Sequence, residues 1–372
     1  MKITTKRAAV TAATLLLAVG SLSACSNGAQ NTTTPTGNAS SAKIGLLLPD
    51  SVTPRYASAD RPDFTNKITA LCPGCSVLYA DADGDAAKQQ QQAESMLTQG
   101  VKVLVVDAQD GEAAASIVAE AKQKNVPVIS YDRLIDSPDL SYYVSFDNFK
   151  VGVLQATALV GKLGSLGVAK GDGGILMVNG SPTDNNATEF KAGANSVIEK
   201  SGYKVLASYN TPNWDPTLAQ NWVAGQITQF GSKIKAVYAA NDTTGGGALA
   251  SLKAANVSPI PPITGQDATL TGIQNILDGN QYMTVYKAIK PEAEQAATLA
   301  IDLANGKKTA APTTAQTPGV SSAKTNVPAF LLDPVTVTAS NVESVIVQGG
   351  FYTPAQICTS AYAAACTKYG VK

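Results

Sequence analysis

The chain has 372 residues, its 28 Lys plus Arg residues balance its 28 Asp plus Glu residues, and it contains no histidine. The neutral balance excludes the basic surface by which proteins bind nucleic acid, and without histidine a zinc site would need four cysteines. The length exceeds the usual size of a single core and predicts two domains.

Residues 1–24 predict a lipoprotein signal peptide. A basic start precedes the apolar stretch 8–19, which is too short to span a bilayer. The sequence Leu-Ser-Ala-Cys at 22–25 resembles the lipobox of bacterial lipoproteins, in which the cysteine becomes the acylated first residue. We therefore expect Cys25 to carry the lipid, and the alternative is an ordinary secretory signal with a stray cysteine.

Residues 25–42 predict a flexible tether behind that anchor. They are mostly Asn, Thr, Gly, Ser and Ala, a composition that cannot bury apolar surface. No later run is apolar enough to cross a bilayer. We expect the mature protein to be extracytoplasmic and held at the outer face of the cell membrane by its lipid alone.

Strands and helices are predicted to alternate from residue 43 onward. The expected strands are 43–48, 77–80, 101–106, 126–130, 142–146, 175–178, 204–208, 234–239, 263–264, 283–286 and 329–338. The expected helices are 60–71, 86–99, 112–124, 151–163, 187–200, 216–229, 246–255, 270–277 and 291–305. Such alternation predicts an α/β protein with parallel sheets flanked by helices, and the restart of the pattern near residue 148 predicts two Rossmann-like lobes.

Four cysteines remain after Cys25, namely Cys72, Cys75, Cys358 and Cys366. Four cysteines allow three pairings, of which two local pairs are the simplest. Structural disulfides are expected because disulfides persist in exported proteins. A redox-active pair at 72–75 and a four-cysteine zinc site are the alternatives, but no metal is expected.

Compact polar clusters follow several of the predicted strands. Ligands of open α/β sheets bind beyond the carboxyl ends of the strands, so these clusters are candidate binding residues. Single members could instead be helix caps or local ion pairs. The clusters are Tyr131-Asp132-Arg133, Ser181 to Asn186, Trp214, Asn241-Asp242, Gly265-Gln266-Asp267 and Tyr286-Lys287.

The composition of these clusters favours a neutral, hydroxyl-rich ligand. Sugar rings pack their C–H groups on an aromatic face, which Trp214 could provide, although a core aromatic is the alternative. Sugar hydroxyls need the donors and acceptors of Asp, Asn, Lys and Arg. A glycosidase using two of Asp132, Asp184 and Asp267 is disfavoured, because Arg133 and Lys287 should keep neighbouring carboxylates ionised.

In their residue types and order, these motifs resemble those of the D-xylose-binding proteins of bacterial ABC sugar importers, within the type I periplasmic-binding-protein family. The similarity is collinear from about Lys43 to about Gly306. It is carried by Asp132-Arg133, Ser145 to Asn148, Gly180 to Ala187, Asn241 to Gly246, Gly265 to Ala268 and Thr284 to Lys287.

This resemblance implies a type I fold with three hinge crossings. The expected first lobe is 43–150 plus about 289–325, and the second lobe is 151–288 plus about 326–345. Residues 346–372 would form a carboxyl-terminal appendage. The implied sugar contacts are Arg55, Asp132 and Arg133 on the first lobe, and Asp184, Asn186, Asn241, Asp267 and Lys287 on the second lobe or at the hinge.

Two aromatic positions complete the implied site. Trp214 matches a stacking tryptophan of the family, whereas Arg55-Tyr56 departs from the family's Arg-Trp, and Tyr56 offers a smaller face and a hydroxyl. The resemblance implies a monomeric, non-enzymatic binding protein without a cofactor. It would capture a monosaccharide, with D-xylose favoured, and deliver it to an ABC permease and its ATPase. The alternative is another pentose or hexose with a sensor or receptor as partner.

Overall fold

A computed structural model of the protein describes residues 41–315 and 327–372. The predicted signal peptide, Cys25 and nearly all of the tether lie outside the described residues. The strands are β1 (Lys43–Leu48), β2 (Ser76–Asp81), β3 (Val103–Val106), β4 (Val128–Tyr131), β5 (Tyr142–Phe146), β6 (Gly174–Asn179), β7 (Lys204–Asn210), β8 (Ile234–Ala239), β9 (Met283–Tyr286), β10 (Thr313–Ala315), β11 (Val327–Leu332) and β12 (Val335–Thr338).

The helices alternate with these strands along most of the chain, as the sequence predicts. They are α1 (Arg61–Leu71), α2 (Ala86–Thr98), α3 (Ala115–Gln123), α4 (Asn148–Ser165), α5 (Asn185–Ser201), α6 (Pro216–Phe230), α7 (Asp242–Ala254), α8 (Leu270–Leu277), α9 (Ile289–Ala304), α10 (Pro354–Ile357) and α11 (Ala363–Tyr369).

The first sheet has the strand order β10-β11-β5-β4-β3-β1-β2, and within it only β10 runs antiparallel to its neighbour. Strand β3 is buried and wholly apolar, as expected of a parallel sheet covered on both faces. Helices α2 and α3 cover one face, where Met96 and Ile117 pack with Leu47. Helices α1 and α9 cover the other, where Phe64 packs with Leu46. We call this layered unit the first lobe.

The rest of the chain contains a three-stranded parallel sheet in the order β7-β6-β8 and a two-stranded sheet of β9 and β12. Ile263 bridges Val237 on β8, and the Val285 amide of β9 donates to the Gly265 carbonyl at 3.1 Å. Strand β9 pairs antiparallel with β12. Helices α4 and α5 cover one face of β6, and α6 and α7 cover the other. We call this unit the second lobe.

The chain passes between the lobes three times. The crossings follow β5 at Asp147, follow β9 at Ala288, and separate β11 from β12 at Asp333-Pro334. The type I architecture with three crossings that the resemblance implies is confirmed.

The predicted single strand 329–338 is wrong, and so is the expected start of the second lobe at about 326. Strand β11 pairs with β5 in the first lobe, and β12 pairs with β9 in the second lobe. Proline has no backbone N–H to give to a ladder, so the strand is interrupted at Pro334 and resumes in the other lobe.

The two disulfides of the described chain are both local, joining Cys72 to Cys75 and Cys358 to Cys366. The second one closes the carboxyl-terminal segment, which packs into a buried cluster with α8 and β12. Across residues 41–315 and 327–372, no helix has both the length and the apolar character needed to cross a membrane.

Candidate functional site

One small cavity lies where the two lobes face each other, with about 290 Å³ of empty space that includes its opening to solvent. All ten side chains predicted as ligand contacts line it: Arg55, Tyr56, Asp132, Arg133, Asp184, Asn186, Trp214, Asn241, Asp267 and Lys287.

Three further residues line the cavity that sequence reasoning did not select, namely Thr53, Phe190 and Gln266. Gln266 stands inside a cluster that was identified, directly before Asp267. Phe190 follows Asn186 by one helical turn on α5, so helical periodicity could have placed both on one face. Thr53 lies in the loop after β1 and had no signal of its own.

Asp132 projects from the end of β4 and connects the two lobes. Its backbone is left-handed, with φ +53°. Its carboxylate accepts from Asn186 Nδ2 at 2.5 Å and Lys287 Nζ at 3.3 Å, and it also contacts the Arg55 guanidinium. Burial opposes ionisation, but Arg55, Lys287 and Arg133 outweigh it and lower the pKa of Asp132. Asp132 is therefore a fully partnered anion.

Arg55 is surrounded by carboxylates. Its Nε and Nη2 donate to Asp60 at 2.9 and 2.6 Å, and Nη2 also donates to Glu292 at 3.0 Å. Its Nη1 lies 3.8 Å from Asp267 Oδ1 in addition to its contact with Asp132. Burial would lower the pKa of Arg55, yet these anions raise it well above its usual value. The guanidinium is thus fixed in place and charged.

Arg133 is also surrounded by carboxylates, as Arg55 is. Its Nε lies 3.0 Å from Asp184 across the cleft and 3.5 Å from Asp107. Its Nη2 lies 3.5 Å from Asp50 and donates to the Tyr56 hydroxyl at 3.0 Å. The Tyr56 hydroxyl is therefore an acceptor for this arginine.

Asp184 and Trp214 enter the cavity from the second lobe. Asp184 caps α5 by accepting from the Asn186 amide at 2.8 Å, and it also accepts from Trp214 Nε1 at 3.1 Å. The indole packs edge-on to Phe190 with a centroid distance of 6.3 Å. A Cβ added at Gly180 would lie 2.0 Å from the indole ring, so only glycine fits beneath it. Trp214 is both a packed aromatic and part of the cavity wall.

Asn241 caps a helix, which was the alternative to ligand binding for single members of the polar clusters. Its Oδ1 accepts from the Thr244 amide at 2.8 Å and from the Thr244 hydroxyl at 2.9 Å, which begins α7. It nevertheless lines the cavity. The two assignments are therefore compatible at this residue.

Asp267 differs from every other carboxylate that lines the cavity. Its backbone is left-handed, with φ +88°, and its Oδ1 is buried without a hydrogen-bond partner among the described residues. The nearest cations are Arg55 at 3.8 Å and Lys287 at 3.9 Å. Burial outweighs both and raises the pKa of Asp267. Its free acceptor is available for a ligand hydroxyl.

The expectation that Arg133 and Lys287 keep neighbouring carboxylates ionised agrees with the lowered pKa of Asp132, the one carboxylate of the cavity lining whose pKa falls. Burial also raises the pKa of Asp184, despite the opposing charge of Arg133. The lining combines fixed cations, carboxylate and amide acceptors and an indole, which can bind a neutral polyol on several sides. In the described part of the chain, no group of acidic or cysteine side chains is arranged to hold a metal ion.

Known proteins resemble this chain over most of its length. Residues 44–308 match the family model for the periplasmic binding protein domain. The D-xylose-binding periplasmic protein of Haemophilus influenzae is 37% identical over 319 residues, which cover 85% of this chain and 92% of that protein. The D-xylose-binding periplasmic protein of Escherichia coli is 36% identical over 324 residues, which cover 86% and 94%.

A solved structure shares the fold over a similar fraction of this chain. It is an ABC transporter solute-binding protein from Clostridium phytofermentans with bound β-D-glucose. Its TM-score is 0.77 at 30% identity, covering 85% of this chain and 99% of that one.

Proposed function

This chain belongs to the periplasmic binding protein family, and from that premise we propose that it captures one monosaccharide, D-xylose in preference to others, by closing its two lobes. It then delivers the sugar, as a monomer, to an ABC importer. The observation that carries the proposal is the convergence of all ten predicted side chains on one small polar cavity between the lobes.

The family binds its ligands without transforming them, so the chain is a binding protein and not an enzyme. The glycosidase alternative is therefore set aside. Of its three candidate carboxylates, Asp132 is also held ionised by three cations and lacks the proton that a general acid must donate.

The choice of D-xylose is supported by the two xylose-binding relatives and by the small cavity. A hexose adds a hydroxymethyl group, whose hydroxyl would need its own partner among the buried side chains of the site. The structural neighbour with bound glucose supplies the competing candidate. Tyr56 is the position where the lining departs from the xylose-binding pattern.

Calorimetry of residues 41–372 against D-xylose, D-glucose, D-ribose and L-arabinose tests the sugar. We expect one saturable site, with D-xylose bound about tenfold or more tightly than D-glucose. Tighter binding of D-glucose would make D-glucose the proposed ligand and would leave the fold assignment unchanged. Absence of heat with every sugar would reject monosaccharide capture.

Anchoring through Cys25 is a separate part of the proposal, supported by the lipobox-like sequence at 22–25. Mass spectrometry of the exported protein should find a diacylglyceryl group on Cys25. Replacement Cys25→Ala should release the protein from the membrane fraction. An unmodified Cys25, or a Cys25→Ala protein that stays in the membrane fraction, would contradict it.

A further inference from the structure

A second set of cross-lobe hydrogen bonds lies outside the sugar cavity, at the rim of the cleft. Gln109 Nε2 donates to Asn213 Oδ1 at 3.1 Å. The Thr183 hydroxyl donates to the Gln109 carbonyl at 3.2 Å, and the Gly111 amide donates to the Thr183 carbonyl at 3.1 Å. We call Gln109, Gly111, Thr183 and Asn213 the rim latch. None of the four lines the cavity.

The first-lobe side of the rim latch is rigid. Gln109 is 4% exposed, and its backbone amide donates to Gln89 Oε1 at 2.9 Å. Gln89 in turn donates to the Asp107 carbonyl at 2.8 Å, and Gln89 itself is buried on α2. The loop after β3 therefore holds the Gln109 backbone, whose carbonyl accepts from Thr183, in a fixed position.

The second-lobe side joins the rim latch to the cavity through neighbours in sequence. Thr183 directly precedes Asp184, and Asn213 directly precedes Trp214. Asn213 and Trp214 are consecutive left-handed residues, with φ +52° and +55°. One turn thus directs an indole to the cavity and an amide to the opposite lobe. Asp184 and Trp214 are themselves joined by a hydrogen bond at 3.1 Å.

The latch bonds connect uncharged groups, and they join residues of different lobes, so separating the lobes must break them. A sugar in the cavity has no contact with them and cannot replace them. Groups of this kind stabilise every closed complex equally, whichever sugar is bound. Their loss should speed opening without altering the preference among sugars.

We propose that the rim latch sets the lifetime of the closed, sugar-bound state, and so the rate of sugar release, while leaving sugar selection to the cavity. Asn213 acts in it as a positioning residue, because it ties the turn that carries Trp214 to the first lobe. This inference rests on the proposed function, since it assumes a sugar whose release can be timed.

Stopped-flow tryptophan fluorescence of the full chain, displacing D-xylose and the next-best sugar from calorimetry, tests the latch. Gln109→Ala and Asn213→Gly should each raise the dissociation rate about fivefold, the loss expected for one neutral hydrogen bond, by the same factor for both sugars. Glycine suits the left-handed backbone at position 213, so this change removes the amide without strain. Association rates should stay near those of the wild type.

Two further variants distinguish loss of the Gln109–Asn213 hydrogen bond from a change in backbone conformation at position 213. Asn213→Asp keeps an acceptor for Gln109 and should restore slow release. Asn256→Gly is the matched control, because Asn256 is also an exposed left-handed asparagine, with φ +53°, outside the cavity lining. Unchanged release from both Gln109→Ala and Asn213→Gly, or factors that differ between the two sugars, would overturn the latch. Fast release from Asn213→Asp would overturn it too.

A measurement that needs no sugar tests the rim latch if the proposed function fails. If the wild type binds no sugar, hydrogen exchange of the Gly111 amide in the ligand-free chain decides the latch, because that amide is bonded across the cleft. Faster exchange in Gln109→Ala than in the wild type supports the latch. Equal exchange overturns it.

Discussion

Asp132 and Asp267 stand at corresponding places in the two lobes and behave in opposite ways. Asp132 follows β4 and Asp267 follows the bridge from Ile263 to β8, each has a left-handed backbone, and they are only 2% and 5% exposed. Asp132 contacts Arg55, Lys287 and Asn186, and its pKa is lowered. Asp267 has a buried oxygen without a hydrogen-bond partner among the described residues, and its pKa is raised.

The difference separates two tasks within one cavity. A carboxylate that is already paired holds the closed arrangement together, whereas one with a free acceptor has capacity left for a ligand donor. Removing the first should unbalance buried cations. Removing the second should cost the protein little until a ligand is present.

The largest effect is expected for Asp132→Ala. The change leaves Arg55 and Lys287 without a shared anion in a buried site, so the free energy of unfolding should fall by about 3–5 kcal/mol. Urea unfolding of the ligand-free protein measures this. Asp172→Ala, at an exposed turn, serves as the control. A loss equal to that of the control would show that Asp132 is not the structural partner.

Asp267→Ala should reverse that pattern. Its affinity for D-xylose should fall by about tenfold or more, that is by about 1.4 kcal/mol, because a sugar hydroxyl loses its acceptor. Its free energy of unfolding should change by less than about 1 kcal/mol. Calorimetry and urea unfolding on the same preparation test both halves. Unchanged affinity would remove Asp267 from the site.

A smaller effect is expected at Tyr56, which binds neither carboxylate but contacts Arg133. Tyr56→Phe removes the acceptor 3.0 Å from Arg133 Nη2 and should weaken sugar binding about fivefold, since one hydrogen bond is lost. Tyr56→Trp restores the family's aromatic pair and should increase the preference for D-xylose over D-glucose. Equal preference in Tyr56→Trp and the wild type would show that this position does not influence the sugar.

The smallest effect concerns Asp242, which supports the Asp267 loop. Its carboxylate accepts from the Thr269 amide at 2.7 Å, and burial raises its pKa to about 7. A raised folded pKa means that the folded state binds more protons between about pH 4 and pH 7, so this contribution to stability is lost as pH rises through that range. Asp242→Asn should therefore show a flatter pH dependence of unfolding than the wild type. Equal slopes would contradict the assignment.

The sequence was informative where local pattern decides structure. Uniformly apolar runs such as 103–106 predict strands covered on both faces, and the polar residues that follow them predict the cavity lining. It failed at 327–338, because local pattern does not reveal which sheet a strand joins. Pairing with β5 is a contact between distant parts of the chain.

The ionisation of the site was also beyond the sequence. Asp132, Asp184 and Asp267 are all buried and each close to a cation, and the number of cationic partners separates the lowered pKa from the raised ones. The supporting anions Asp60 and Glu292 were missed for a related reason. Glu292 reaches Arg55 only through the packing of α9 against α1, whereas Asp60 reaches it across the helical turn 56–60, whose irregular geometry the sequence pattern does not reveal.

Small-angle scattering of the protein during titration with D-xylose tests capture by lobe closure. We expect a radius of gyration that falls and saturates at one sugar per chain, because the sugar closes two lobes around a single cavity. Binding of the sugar without any change in the radius, or no response to any monosaccharide, would contradict capture by lobe closure.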